Sequence, residues 1–270
     1  MAFAAQARPG STASGPQLRS GSALVLDAAT SGVLLARNAA TPGSIASITK
    51  LMTALAVLDA GQPLDEVLTI GKDDALKARG APSRLVPGTS MTRGDLLHLA
   101  LMSSENRAAQ ALASHYPGGV AACVAAMNQR AKAIGMKHAH FVDPTGLDAG
   151  NVASPEDLAR LVEAAADNAT IREYSTDPHH DVRVGRQILE YRNTDSLVRD
   201  PDWDVIVQKT GYTRTAGRCL VMKARVDGRA LVIVLLDSFS KYTRVADARR
   251  IRKWLGAQAT LGGALASAGR

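Results

Sequence analysis

Strand-like segments occupy both ends of this chain and helix-like segments fill its middle, and that order limits the fold more than any other feature. Near the start, Ser22-Ala-Leu-Val-Leu-Asp27 and Val33-Leu-Leu-Ala-Arg37 read as two strands, and the Ala-Thr-Ser-Gly turn between them makes a hairpin. Near the end, Trp203 to Thr210 reads as a strand. Arg218–Val226 and Arg229–Leu236 then flank Asp227-Gly228, a strong hairpin-turn signal. Between these ends the apolar period changes from two to that of a helix. Ser44–Ala60 carries Ile48, Leu51, Leu55 and Leu58 on one stripe, and Gly61 and Pro63 end it. Residues 64–93 look irregular or short-stranded. Asp95–Met102 and Asn106–His115 are short helices, Pro117-Gly-Gly119 breaks the chain, and Val120–Ile134 is a longer helix that Gly135 stops. In Ser154-Pro-Glu-Asp157 the Ser caps, the Pro takes the first turn and the Asp sits three residues on, which starts a helix running to Ala166. Val245–Leu255 closes the core as a last helix. The pattern predicts an α+β fold: an antiparallel sheet built from both chain ends, with a helical insertion between them.

The chain has 270 residues, enough for one sizeable core, and it shows no internal repeat or linker. The expected division is a flexible lead-in over 1–20, a single domain over 21–256 and a weakly patterned tail over 257–270. The net charge of +7 suits an anionic partner. Aromatic content of 4% and the lack of a basic stripe exclude a nucleic-acid stacking platform. No apolar run reaches the length of a membrane span. Ala5-Gln-Ala7 reads either as the small-residue cleavage end of a secretory signal or as an Ala-rich tail. Cys123 and Cys219 are too few for a disulfide framework and read as buried thiols.

A serine is a poor nucleophile until a base takes its proton. In Ser47-Ile-Thr-Lys50 the two functional residues are three apart, so on a helix they share a face. The expected position of Ser47 at a helix start also offers free backbone N–H groups for an oxyanion. Alone the pattern is weak, because composition gives about one chance match in a chain of this length. A second match, Ser238-Phe-Ser-Lys241, follows the strand hairpin and has no apolar helical stripe beginning at its serine. Two further elements separate the matches. Ser104-Glu-Asn106 lies at the junction of two helical segments, where Ser or Asn alone would read as an N-cap. Tyr191-Arg-Asn193 is a lower-ranked rival for the same part. Lys209-Thr-Gly211 lies on the edge of the β region. Its cation and hydroxyl can grip a carboxylate, and its glycine lets a substrate backbone come close.

The three elements follow one another in the order known for penicillin-binding proteins and class A β-lactamases. With Ile45–Ala54, Leu101–Arg107, Phe141–Asp148, Lys209–Thr213 and Ala216–Met222, the chain resembles the low-molecular-mass penicillin-binding proteins, the D-alanyl-D-alanine carboxypeptidase family. It looks most like their Gram-negative D,D-endopeptidase branch. The resemblance runs from about Ser22 to Leu255. It implies a β-lactamase-like fold, Ser47 as nucleophile, Lys50 as base and Ser104 as a proton relay. It further implies that Asn106 binds Lys50 or the substrate amide, and that Lys209, Thr210 and Gly211 hold the substrate. The N–H groups of Ser47 and Tyr212 would form the oxyanion hole. Lys50 must be neutral to act, and both burial and the charge of Lys209 are expected to lower its pKa. Peptidoglycan peptide is the implied substrate, β-lactams the covalent inhibitors, and the periplasm the compartment. No metal or organic cofactor is required.

Family carboxypeptidases commonly carry a C-terminal β domain and an amphipathic anchor, and the residues after Leu255 are too few for either, so an endopeptidase is expected. Two other functions use the same motifs: a β-lactamase, for which only Glu156 and Glu163 offer a deacylating glutamate, and a β-lactam or muropeptide sensor without turnover. His138-Ala-His140 and His179-His180-Asp181 lack further ligands at zinc-like spacing and read as surface histidines. Asp143-Pro-Thr-Gly146 reads as a turn beside the cleft and carries no assigned catalytic role.

Overall fold

The structure, a computed structural model, describes residues 15–78 and 82–268, with residues 259–268 described as helix backbone only. Most of the expected lead-in therefore lies outside the described residues. Strands β1 (Ser20–Asp27) and β2 (Val33–Arg37) come first, followed by the short β3 (Gly43–Ser44) and helix α1 (Thr49–Asp59). Next are β4 (Val67–Thr69), α2 (Lys72–Lys77), β5 (Ser90–Thr92), α3 (Arg93–Met102), α4 (Asn106–Ser114) and α5 (Gly119–Ala133). The short β6 (Val152–Ala153) leads into α6 (Pro155–Ala166), α7 (Ala169–Thr176) and the hairpin β7 (His179–Val184) and β8 (Gln187–Arg192). The chain ends with β9 (Asp204–Thr213), β10 (Gly217–Val226), β11 (Arg229–Ser238) and α8 (Lys241–Ala268).

Five strands form one sheet in the order β2-β1-β11-β10-β9, with antiparallel neighbours throughout. β1 lies against β11, so the two chain ends do build one sheet around a helical insertion. The alternation of side chains places two cores on its two faces. Leu24, Leu26, Val232 and Val234 face the helices of the insertion. Ala23, Val25, Leu231, Ile233 and Leu235 face Ala248, Ile251 and Leu255 of α8. The strands are covered on both sides, which is why they read as nearly continuous apolar runs.

Local sequence accounts for several elements. Asp227 and Gly228 both take positive φ, at 50° and 80°, as a tight two-residue hairpin requires. At the start of α6 the Ser154 hydroxyl accepts from the Asp157 N–H while the Asp157 carboxylate accepts from the Ser154 N–H. Among the described residues no helix is long and apolar enough to cross a membrane. The two cysteines are free and buried, and burial pushes their thiols up to about 12 and about 11.

Other elements depart from the expectation. α2 forms inside the stretch read as irregular, and α7 and the β7–β8 hairpin lie where no element was assigned. α8 starts four residues before Val245 and runs past Leu255 to Ala268. Leu18 is already buried, and Asp247 of α8 accepts from the N–H groups of Arg19 and Ser20, so order begins before residue 21.

Candidate active site

The expected single helix from Ser44 divides at the serine. Gly43–Ser44 pair with Val152–Ala153 as strands, Ala46–Ile48 form a 3-10 turn, and α1 begins only at Thr49. Ala46 sits at φ 49°, a left-handed conformation that costs an alanine about 1–2 kcal/mol. Two glycines hold it there. A Cβ on Gly146 would stand 1.9 Å from the Ala46 carbonyl oxygen, and one on Gly211 would stand 3.0 Å from the Ile45 oxygen and 3.2 Å from the Ser47 nitrogen. The backbone around Ser47 is thus clasped from both sides by segments distant in sequence. Ser47 falls within the first turn, where N–H groups lack intrahelical acceptors.

Lys50 lies one turn on, with 1% of its surface exposed. Its Nζ is 2.8 Å from Ser47 Oγ, 2.6 Å from Asn106 Oδ1 and 2.7 Å from the Thr145 carbonyl oxygen. A neutral amine has two hydrogens and one lone pair. The two carbonyl oxygens can take the hydrogens, and the lone pair then faces the Ser47 hydroxyl. Burial lowers the Lys50 pKa to about 7, against the opposing pull of the Asp143 and Glu105 carboxylates.

The charges of Lys50 and Lys209 repel one another, and Lys209 is strongly affected. Its own amine is fully buried and driven well below its ordinary range, first by burial and then by the charges of Lys50 and Arg244. Two buried amines cannot both hold a proton cheaply. A carboxylate arriving beside Lys209 would offset that cost and favour the cation.

Ser104-Glu-Asn106 joins α3 to α4. Glu105 is the cap of α4, its side chain accepting from the Arg107 N–H. The N-cap reading therefore applies to the residue between, and Asn106 is free to reach Lys50. Ser104 is half-buried at φ 63°, and its hydroxyl makes no hydrogen bond to any other described residue. Ser104 is not among the hydrogen-bond partners of Lys50 Nζ, which are Ser47, Asn106 and Thr145. The rival Asn193 is occupied, donating to the carbonyls of Ser175 and Asp177. The second serine–lysine match also comes apart. Ser238 is bonded to Ser20, while Lys241 lies over the Tyr242 ring.

Lys209, Thr210 and Gly211 lie on β9, the edge strand. The Gln208 N–H points off the sheet to Ser175 Oγ, and the Thr210 carbonyl turns to the Lys209 amine at 2.9 Å. By the two-residue alternation, the Tyr212 N–H also points away from β10 toward the open edge. Gly211 adjoins the Ser47 backbone, and Tyr212 follows it in the strand. The Tyr212 side chain is 51% exposed and lies under the Arg218 guanidinium, 3.8 Å away.

Several supporting residues were assigned no catalytic role from the sequence. Asp143 orders the turn by accepting from Gly146 N–H and Thr145 Oγ1, each at 2.7 Å, which aims the Thr145 carbonyl at Lys50. Asn151 ties that turn to α1 through Asp143 O and Thr49 Oγ1. Thr194 Oγ1 is 2.7 Å from Thr210 Oγ1. Buried Arg244 of α8 donates to the carbonyls of Gly211 and Cys219. Buried Asp195 supplies a counter-charge near Lys209 and Arg244, although burial raises its own pKa. Glu163 is ion-paired with Lys223 of β10. Among the described residues no group of three or more His, Cys, Asp or Glu could hold a metal ion. His180 is half-buried rather than freely exposed: it stacks on His98 and pairs with Asp95.

The D-alanyl-D-alanine carboxypeptidase family model matches residues 10–240. A D-alanyl-D-alanine endopeptidase of Pseudomonas aeruginosa is 48% identical over 241 residues, 88% of this chain and 78% of that protein. Its Escherichia coli counterpart is 43% identical over 246 residues, 90% of this chain and 79% of that protein. Among solved structures, a Streptomyces DD-transpeptidase superimposes with a TM-score of 0.83 at 27% identity, covering 90% of this chain and 99% of that one.

Proposed function

The chain belongs to the D-alanyl-D-alanine carboxypeptidase family, and on that premise we propose that it is a serine D,D-peptidase of the periplasm, acting as an endopeptidase on cross-linked peptidoglycan peptide. The observation that carries the reading is the buried Lys50 amine, held between two carbonyl oxygens with Ser47 Oγ 2.8 Å away.

Ser47 Oγ attacks the carbonyl carbon of a D-Ala peptide bond, and its proton passes to Lys50. The N–H groups of Ser47 and Tyr212 bind the oxyanion. As the C–N bond breaks, the leaving amine takes a proton from Lys50 by way of Ser104, which must turn toward it once substrate is bound. Water then releases the acyl group from Ser47. Asn106 keeps Lys50 in place. Lys209 and Thr210 hold the substrate carboxylate, and Gly211 admits its backbone to the edge strand. β-Lactams acylate Ser47 by the same first step. Of the two glutamates that a β-lactamase reading offers for its water, Glu163 is ion-paired with Lys223.

Digestion of cross-linked muropeptide dimers and of monomeric pentapeptides, followed by mass analysis, tests the proposal. Dimers are expected to fall to monomers faster than pentapeptides lose their terminal D-Ala. A protein that is acylated by penicillin yet cleaves neither substrate would be a sensor and not a peptidase.

A further inference from the structure

Beside the edge strand lies a groove of about 710 Å³ between the Thr194–Arg199 segment and α8. Its inner end adjoins the substrate strand. Thr194 is bonded to Thr210 there, and Arg244 reaches the Gly211 carbonyl. From that end Arg249, Arg250 and Lys253 follow along one side of α8 at helical spacing, and Arg199 faces them from the other wall. Among the described residues no Asp or Glu lines the groove. Arg249 and Arg250 are each paired with a carboxylate behind them, Asp200 and Asp247. Lys253 and Lys241 have no ion pair among the described residues, so the groove keeps an excess of positive charge.

The two D,D-peptidase activities differ in what leaves. A carboxypeptidase releases one amino acid. An endopeptidase releases an amine that is still part of a peptide, and that peptide needs space beyond the carboxylate grip of Lys209 and Thr210. The groove starts where that grip ends. We infer that it holds the amine-side peptide of a cross-linked substrate, a chain bearing carboxylates, and so favours cross-linked over monomeric substrate. This rests on the peptidase reading and specifies where its preference arises. The lining also suits the partner's charge. Exposed cations exert long-range attraction on an anionic chain and raise its encounter rate and local concentration.

The test is Arg249→Gln with Lys253→Gln, assayed on muropeptide dimer and on pentapeptide. The ratio of the two kcat/KM values, dimer over monomer, is expected to fall about tenfold, chiefly through KM for the dimer. Added salt should weaken dimer binding by the wild type more than by the double variant. Thermal melting and the stoichiometry of penicillin acylation report whether the variant is folded. If it is not, Lys253→Gln alone carries the test, since that ammonium has no ion pair among the described residues to lose. A ratio unchanged from wild type, or equal losses on both substrates, overturns the groove while leaving the peptidase reading intact. A wild-type protein that cleaves neither substrate overturns the peptidase reading, and this inference with it.

Discussion

Lys50→Met is expected to slow acylation of Ser47 by penicillin about 10²- to 10⁴-fold, the usual contribution of a positioned general base. Methionine is of similar length and apolar, so it fills the buried site without restoring a basic amine. The loss should appear with its own pH signature. The wild-type rate should rise about tenfold per pH unit below the Lys50 pKa of about 7 and level off above it, because only the neutral amine accepts the proton. The variant should show no such limb. Stability should respond as well. The folded pKa of about 7 lies below the ordinary value of 10.5, so between those values the unfolded chain binds the proton that the folded site refuses. Wild-type stability therefore falls as pH drops from 10.5 toward 7, and the variant should lose that part of the slope. Stopped-flow acylation and denaturant titration across this range measure both. Wild-type rates in the variant, with the pH limb retained, would remove Lys50 from the chemistry.

Gly146→Ala is expected to have the largest effect on folding. Gly146 takes φ 81°, and its added Cβ would lie 1.9 Å from the Ala46 carbonyl oxygen and 2.9 Å from the Ser47 nitrogen. Both neighbours are backbone atoms and cannot rotate away. Strain at positive φ costs about 1–3 kcal/mol and overpacking about as much again. A loss of about 2–6 kcal/mol is a large part of the stability of an ordinary domain. Gly88→Ala separates the two causes. It has φ 88° with nothing within 4 Å of its Cβ, so it should incur the backbone strain alone. Thermal or urea unfolding of the two variants gives the difference. Equal losses would mean that the Gly146 clasp on Ala46 is not a tight one. The Gly146 variant should also acylate slowly in whatever fraction remains folded, since the serine backbone has to shift.

The candidate groups were legible in the sequence because the chemistry proposed for them fixes residue type and order. Ser47, Lys50 and Asn106 meet through hydrogen bonds, and the order of strands and helices yielded the sheet with both chain ends in it. What could not be read is tertiary in origin. Nothing local shows that Ala46 adopts positive φ, since Gly146 and Gly211 impose it from far along the chain. The helix expected from Ser44 therefore starts late. Arg244 stands just before the helix expected from Val245, and only the fold brings it to the Gly211 carbonyl of β9. The Asp143 turn was visible as a turn, but its aim at Lys50 depends on Asn151 and Thr53, whose hydroxyl donates to the Pro144 carbonyl. The β7–β8 hairpin was missed because its strands are polar and half-exposed, although Gly185 at φ 59° marks its turn.

The central claim is that Ser47, and no other serine, is the nucleophile that Lys50 activates. Intact mass and peptide mapping of the protein after reaction with benzylpenicillin test it most directly. One adduct per chain, located on the peptide containing Ser47 and absent from Ser47→Ala, is the predicted result. An adduct that survives Ser47→Ala, or one that maps to Ser238 beside Lys241, would contradict it.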